Sequence, residues 1–259
     1  MGTGMTQKVA LVTGASQRLG RAMTLELAQA GYAMAVHYNR SAGPAETFVA
    51  DLRAAGHQAE AFQADLSDPA AVTGLIGQVA AAIGAPTVLV NNASVFQNDS
   101  ADDFAVEVWQ QHQSVHVLAP ALLAQDFAKT LPPGGEGLIV NMLDEAVTRP
   151  GPTFFSYTVS KASLAAMTEM LAQALAPRVR VNGIAPGLIL NSGHPSEEAF
   201  QAAHKNTLLG RGPGTEAIAR ALRYLLEQTE VTGEVLYVDA GKHLMQGSKY
   251  LPSKPKGAK

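Results

Sequence analysis

The 259-residue chain is 47% hydrophobic and 16% charged, with a net charge of -3 and no cysteine. That balance excludes a disulfide framework, a thiolate nucleophile and a strongly basic nucleic-acid-binding surface, and no apolar run approaches the ~20 residues that span a bilayer. A chain of this length without repeats or a composition break suits one large α/β core.

The N-terminus lacks a signal-peptide pattern, so the chain is expected to be soluble and cytoplasmic. Its first residues formally fit a myristoylation pattern, for which a plain leader is the simpler account. The seven histidines are taken to form no metal site.

Val9-Ala10-Leu11-Val12 is an apolar run of the kind a buried parallel strand uses. Thr13-Gly14-Ala15-Ser16-Gln17-Arg18-Leu19-Gly20 follows, then a helical pattern from Arg21 to Ala30. Strand, glycine turn and helix together bring backbone N–H groups and a helix dipole up to a phosphate. Only Gly14 and Gly20 remain of the strict G-x-G-x-x-G pattern, so an ordinary glycine turn is the alternative.

A second strand, Ala33 to Tyr38, ends in Asn39-Arg40-Ser41. In a dinucleotide fold the end of this strand faces the adenosine ribose, where an acid selects NAD and an arginine accommodates the 2′-phosphate of NADP. Arg40 with Ser41, and Arg18 close by, point to NADP, because the guanidinium fork donates to phosphate in pairs.

A helix near 45–55, a strand at 59–63 followed by Asp65-Leu66, and a helix near 70–83 come next. The strand Thr87 to Val90 ends in Asn91-Asn92-Ala93-Ser94-Val95-Phe96. The asparagines suit bonds to loop backbone, and the small residues after them allow close approach of a flat ring. Helices are expected at 104–112 and 115–130, with His116 inside the apolar run of the second; a lone histidine there is either structural or catalytic.

The strand Gly137 to Met142 precedes the stretch Asp144 to Lys161. Its Pro150-Gly151-Pro152 cluster is expected to exclude regular structure, with a helix starting at about Tyr157. Tyr157 and Lys161 then lie one turn apart. An ammonium ~5 Å from the phenol, at an effective dielectric of ~20, favours the phenolate by about 3 kcal/mol. A tyrosine so tuned exchanges a proton with a carbonyl, imine or alcohol. Asp144 sits just past a strand end, where an open α/β sheet places its ligands.

A strand from Arg178 ends in Pro186-Gly187. A long connection, 188–214, reads as a substrate lid with a helix at 196–205. A helix at 216–227 and a strand at 235–238 close the pattern. The alternation predicts a single-domain, doubly wound parallel sheet of about seven strands over residues 1–246, with a polar tail at 247–259.

Taken together, Thr13-Gly14, Gly20, Asp65, Asn91-Asn92-Ala93, Tyr157-x-x-x-Lys161 and Pro186-Gly187 resemble the short-chain dehydrogenase/reductase family over nearly the whole chain. The resemblance implies a Rossmann-type oxidoreductase with NADPH/NADP, in which Tyr157 donates a proton and Lys161 binds the nicotinamide ribose. It places the cofactor on Gly14, Arg18, Leu19 and Gly20, on Asn39, Arg40, Ser41, Asp65 and Leu66, on Asn92, Ala93 and Ser94, and on Tyr157, Lys161, Pro186 and Gly187. A homotetramer is the family's habit.

Two departures narrow the resemblance. Arg18 stands where most members have glycine, and Asp144 where most have serine, as in the pteridine reductase branch. The segments 37–41, 92–96 and 185–188 are similar to that branch too. His116, at the position of a usual catalytic asparagine, begins a His-x-x-x-Pro run similar to that of bacterial dihydromonapterin reductases. The branch implies a pterin substrate held against Phe96, near Ser94, Asp144 and Tyr157, with His116 among the catalytic residues. An Asp–Tyr pair suits protonation of a ring nitrogen as hydride reaches the adjacent carbon. Reduction of another carbonyl, such as a 3-oxoacyl thioester or sugar, is the alternative, and a non-catalytic NADP sensor a third.

Overall fold

Seven parallel strands form one sheet in the computed structural model, which describes residues 8–191 and 196–245. They are β1 (Val9–Val12), β2 (Ala33–Tyr38), β3 (Ala59–Gln63), β4 (Pro86–Asn91), β5 (Gly137–Met142), β6 (Val179–Pro186) and β7 (Val235–Val238), in the order β3-β2-β1-β4-β5-β6-β7. A parallel sheet is covered on both faces, so its strands are continuous apolar runs; all four residues of β1 are fully buried.

Alternate residues of β1 feed two cores. Ala10 and Val12 pack with α1 (Arg18–Gln29), α2 (Ala42–Ala54) and α8 (Thr215–Glu227). Val9 and Leu11 pack with α3 (Pro69–Ile83) and α5 (Ala119–Thr130). On α8, Ile218, Leu222 and Leu225 recur at helical spacing and are fully buried, each contributing about 1.5–3 kcal/mol. The chain runs from β1 outward to β3, then crosses back to β4 on the other side of β1. That reversal opens a crevice at the carboxyl ends of β1 and β4.

Several boundaries differ from expectation for local reasons. Helix α1 starts at Arg18 rather than Arg21, because Gly20 has no Cβ; one built there would lie 2.1 Å from Gly14 O. Helix α2 starts at Ala42, with Pro44 in its first turn, where a missing N–H costs nothing. The two helices expected at 104–112 and 115–130 are one continuous stretch: α4 (Val106–Gln113), a π-turn (Ser114–Leu118) and α5. Pro120 has no N–H for the carbonyl of His116, and the N–H of Ala119 reaches back five residues to Ser114 O.

Before the Pro-Gly-Pro cluster, residues Glu145–Thr148 form one 3-10 turn where none was expected, capped by Asp144. Helix α6 (Phe155–Leu175) starts two residues before Tyr157. Helix α7 (Glu197–Lys205) lies in the expected lid, of which 192–195 fall outside the described residues. The leader and the 247–259 tail lie outside them as well. Among the described residues no helix is long and apolar enough to cross a membrane.

Candidate active site

A cleft of about 480 Å³ opens at the carboxyl edge of the sheet. One end of it is the turn after β1. Gly14 sits at φ +62, a conformation that favours glycine. Thr13 Oγ1 accepts from the N–H groups of Asn92 and Ala93, both at 2.9 Å, and Asn92 Nδ2 donates to Thr13 O and Gly14 O. These bonds lock the ends of β1 and β4 together.

The N–H of Gly14 donates to His37 Nδ1 at 3.0 Å, so the other nitrogen, Nε2, carries the proton and donates to Ala64 O at 3.1 Å. Burial pushes the His37 pKa down to about 4, leaving a neutral ring fixed beneath the turn. Ser16 Oγ lies 3.2 Å from Ser41 Oγ, closing the turn against the end of β2. Helix α1 begins here with no acidic residue in its first turn, so no carboxylate of that turn occupies its positive dipole end.

At the other end, Tyr157 Oη donates to Asp144 Oδ2 at 2.8 Å, and Ala146 N–H donates to Asp144 Oδ1 at 2.8 Å. Lys161 is buried and donates to Met142 O at 2.7 Å. Burial pushes the Tyr157 phenol well above its ordinary range, reinforced by the Asp144 charge and its hydrogen bond. The expectation that Lys161 draws the phenol down is therefore corrected. The ammonium lies 5.8 Å from the ring centroid, and desolvation and the nearer carboxylate outweigh it. Burial lowers the Lys161 pKa to about 8, opposed by the charge of Asp144. Burial raises Asp144, opposed by its bonds from Ala146 and Tyr157. The phenol therefore keeps its proton and donates it to Asp144, with no standing phenolate.

Phe96 touches the Tyr157 ring edge-on, with centroids 4.8 Å apart, and stacks on Phe154 at 4.5 Å. Ser94 is tied to His116: Ser94 Oγ is 3.0 Å from His116 Nε2, and Val95 N–H donates to the same nitrogen at 3.2 Å. The opposite nitrogen, Nδ1, lies 2.8 Å from Ser160 Oγ, which donates to Tyr157 O. Burial, then the charge of Lys161, drives the His116 pKa far below its ordinary value. His116 is thus a neutral ring behind the cleft wall, gripping the loop after β4 and the Ser160 hydroxyl of α6.

Of the residues picked from sequence, Gly14, Arg18, Leu19, Gly20, Asn39, Ser41, Leu66, Asn92, Ala93, Ser94, Phe96, Asp144, Tyr157, Lys161, Pro186 and Gly187 line this one cleft. Arg40, Asp65 and His116 do not line it. Asp65 accepts from Ser67 N–H and Oγ, and the exposed Arg40 lies near enough to help hold its carboxyl low. Ser16 and His37 line it as well, not picked from the sequence, and Leu188 to Leu190 bring the start of the expected lid to it. For His37 the signal was a polar side chain inside an apolar strand. His112 and His116, four apart, were also passed over as a pair; their rings stack at 5.6 Å, and no cluster of three or more metal-binding side chains occurs among the described residues.

The short chain dehydrogenase family profile matches residues 8–200. A dihydromonapterin reductase of Escherichia coli is 32% identical, covering 93% of this chain and 99% of its own length. A putative ketoacyl reductase of the granaticin polyketide synthase of Streptomyces violaceoruber is 33% identical, covering 92% and 96%. The crystal structure of FolM alternative dihydrofolate reductase 1 from Brucella suis in complex with NADP aligns with a TM-score of 0.90 at 39% identity, covering 94% of this chain and 98% of that one. With the glycine turn and the Tyr157/Lys161 pair on one cleft, the chain belongs to the short-chain dehydrogenase family.

Proposed function

We propose that this protein is an NADPH-dependent reductase of a pterin-type substrate, taking a dihydropterin or dihydrofolate to its tetrahydro form. The observation that carries the reading is the Tyr157–Asp144 hydrogen bond beside the Phe96 ring on the wall of one cleft. The relatives named as dihydromonapterin reductase and alternative dihydrofolate reductase support it.

The chain fits the cofactor. The turn from Gly14 to Gly20 and the start of α1 offer N–H groups to the diphosphate, and Gly187 keeps the far wall thin where a Cβ would strike Asp239 at 2.7 Å. Arg18 and Ser41 on the cleft, with the exposed Arg40 next in the chain, would take the 2′-phosphate, and Asn39, Asp65 and Leu66 would surround the adenosine. Leu19, Asn92, Ala93, Ser94, Pro186 and Lys161 line the remainder. NADPH bound there supplies a hydride.

The residues of this chain supply the proton. Phe96 and Ser94 hold the flat ring, and the Tyr157 hydroxyl donates to the ring nitrogen of the C=N bond being reduced. A phenolate beside an ionised Asp144 would be two adjacent anions. The raised Asp144 carboxyl therefore carries the compensating proton and returns it to Tyr157. Lys161 orients the ribose and balances the charge, and His116 sets the loop that carries Ser94. In this reading residues 1–246 form a single domain with a lid at 188–214, working as a cytoplasmic homotetramer.

A ketone reductase is the second reading, favoured by the ketoacyl reductase relative. NADPH oxidation measured with dihydropterins and dihydrofolate against a panel of ketones and 3-oxoacyl thioesters separates the two. Turnover of ketones with none of any pterin sinks the first reading.

A further inference from the structure

The loop that carries Phe96 and the start of the helix that carries Tyr157 are clasped together over several residues. Ser100 forms an antiparallel bridge with Thr153. The N–H of Phe154 donates to Asn98 Oδ1 at 3.3 Å, and that of Phe155 donates to Asp99 O at 3.3 Å. The N–H of Ser156 donates to Asp99 Oδ1 at 3.1 Å, while its hydroxyl donates to Asp99 Oδ2. His112 completes the cluster, with Nδ1 2.6 Å from Ser156 Oγ.

This clasp replaces a missing part of the helix. The residue before α6 is Phe154, at φ 53 in the left-handed region, and it makes no side-chain cap. A bulky residue is rarely found there, and here the conformation accompanies the stack of the Phe154 ring on Phe96. The orphan N–H groups of the first turn need acceptors, and a carboxylate is the best one at a helix N-terminus. Asp99 provides it from 57 residues away in sequence. Both of its oxygens are spent on Ser156, the neighbour of Tyr157.

We propose that Asp99 is a positioning residue: it caps the helix of Tyr157 from the loop of Phe96, and so holds the Phe96 ring against Tyr157 on the wall that receives the substrate ring. The proposal rests on the pterin reading only for the identity of that ring. Loss of the cap lets the loop and its aromatic wall move away from Tyr157, while the cofactor turn at the far end is untouched.

The test is a double-mutant cycle in the full chain: Asp99→Ala, Phe96→Ala and both together, with Asp99→Asn as the conservative variant. An asparagine keeps one acceptor for Ser156 N–H, and the Ser156 and His112 protons can rearrange around its amide. Asp99→Ala is expected to raise the KM for a dihydropterin by about tenfold, with a smaller fall in kcat and an NADPH Kd within about twofold of wild type. Asp99→Asn is expected to recover most of that loss. Because the cap acts through Phe96, adding Asp99→Ala to Phe96→Ala should raise KM no further.

Fully multiplying effects, or an unchanged KM, overturn the proposal, as does an equal loss of NADPH affinity. If Asp99→Ala does not fold, Ser156→Ala takes its place in the same cycle, removing the hydroxyl link but not the backbone one. Wild-type turnover of ketones alone removes the pterin reading but not this test, since the cycle is then run on the ketone that occupies the same cleft.

Discussion

Replacing Asp144 by serine, the residue usual in the family at this position, separates the proposed chemistry from generic hydride transfer. In the wild-type site both carboxylate oxygens are engaged, one by Tyr157 Oη and one by Ala146 N–H, each at 2.8 Å. Serine keeps a hydroxyl that can cap the 3-10 turn, but it is too short to reach the phenol as well. The lost hydrogen bond is worth about 0.5–1.5 kcal/mol, and the lost proton partner costs roughly 10²-fold in rate. The kcat on a dihydropterin should fall about 10²-fold, or about 2.7 kcal/mol in activation free energy.

The pH profile carries a second signature. Proton delivery requires the protonated pair, and burial raises both groups. The wild-type kcat should decline as pH rises through the pair's first apparent pKa, and that limb should change in Asp144→Ser. Binding of NADPH, followed by its fluorescence, should stay near wild type. Single-turnover and steady-state NADPH oxidation across pH measure all three quantities. An Asp144→Ser enzyme with unchanged kcat and profile on dihydropterin would refute the proton pairing.

Tyr157→Phe removes the hydroxyl and little volume, so turnover should nearly vanish while the NADPH Kd stays close to normal; retention of most activity would remove Tyr157 as the donor. Arg40→Asp should weaken NADPH by about 1.5–3 kcal/mol and NADH far less, as titrations with both cofactors would reveal; equal losses would place Arg40 away from the 2′-phosphate. His37 titrates near 6.5 when unfolded and about 4 when folded, so the unfolded chain binds more protons between these values. Stability due to His37 is therefore complete above pH 6.5 and falls as pH drops toward 4, by about 3 kcal/mol in all. His37→Asn, which keeps an acceptor for Gly14 N–H but does not titrate, should flatten that part of the urea-midpoint profile; an unaltered slope would contradict the buried neutral ring.

The fold and the glycine turn were legible in the chain because both are local. Strands such as Ala33–Tyr38 and Gly137–Met142 are apolar runs buried on both faces, so their limits show in hydropathy alone. Gly14 and Gly20 stand out because backbone geometry and close approach permit nothing larger. The Tyr157–Lys161 spacing likewise follows from one helical turn.

What the tertiary structure alone decided was how distant groups alter one another. The phenol is raised rather than lowered because β5 and α6 bring Asp144 nearer to it than Lys161 and both are shielded from water. His116 proved to be a neutral ring behind the wall, because the π-turn that answers the missing N–H of Pro120 places it between Val95 and Ser160. Asp99 carried no sequence signal, since its partner lies 57 residues on and the helix it caps has no cap of its own. Local propensity is a property of neighbours along the chain; desolvation, charge and capping in trans depend on neighbours that only folding supplies.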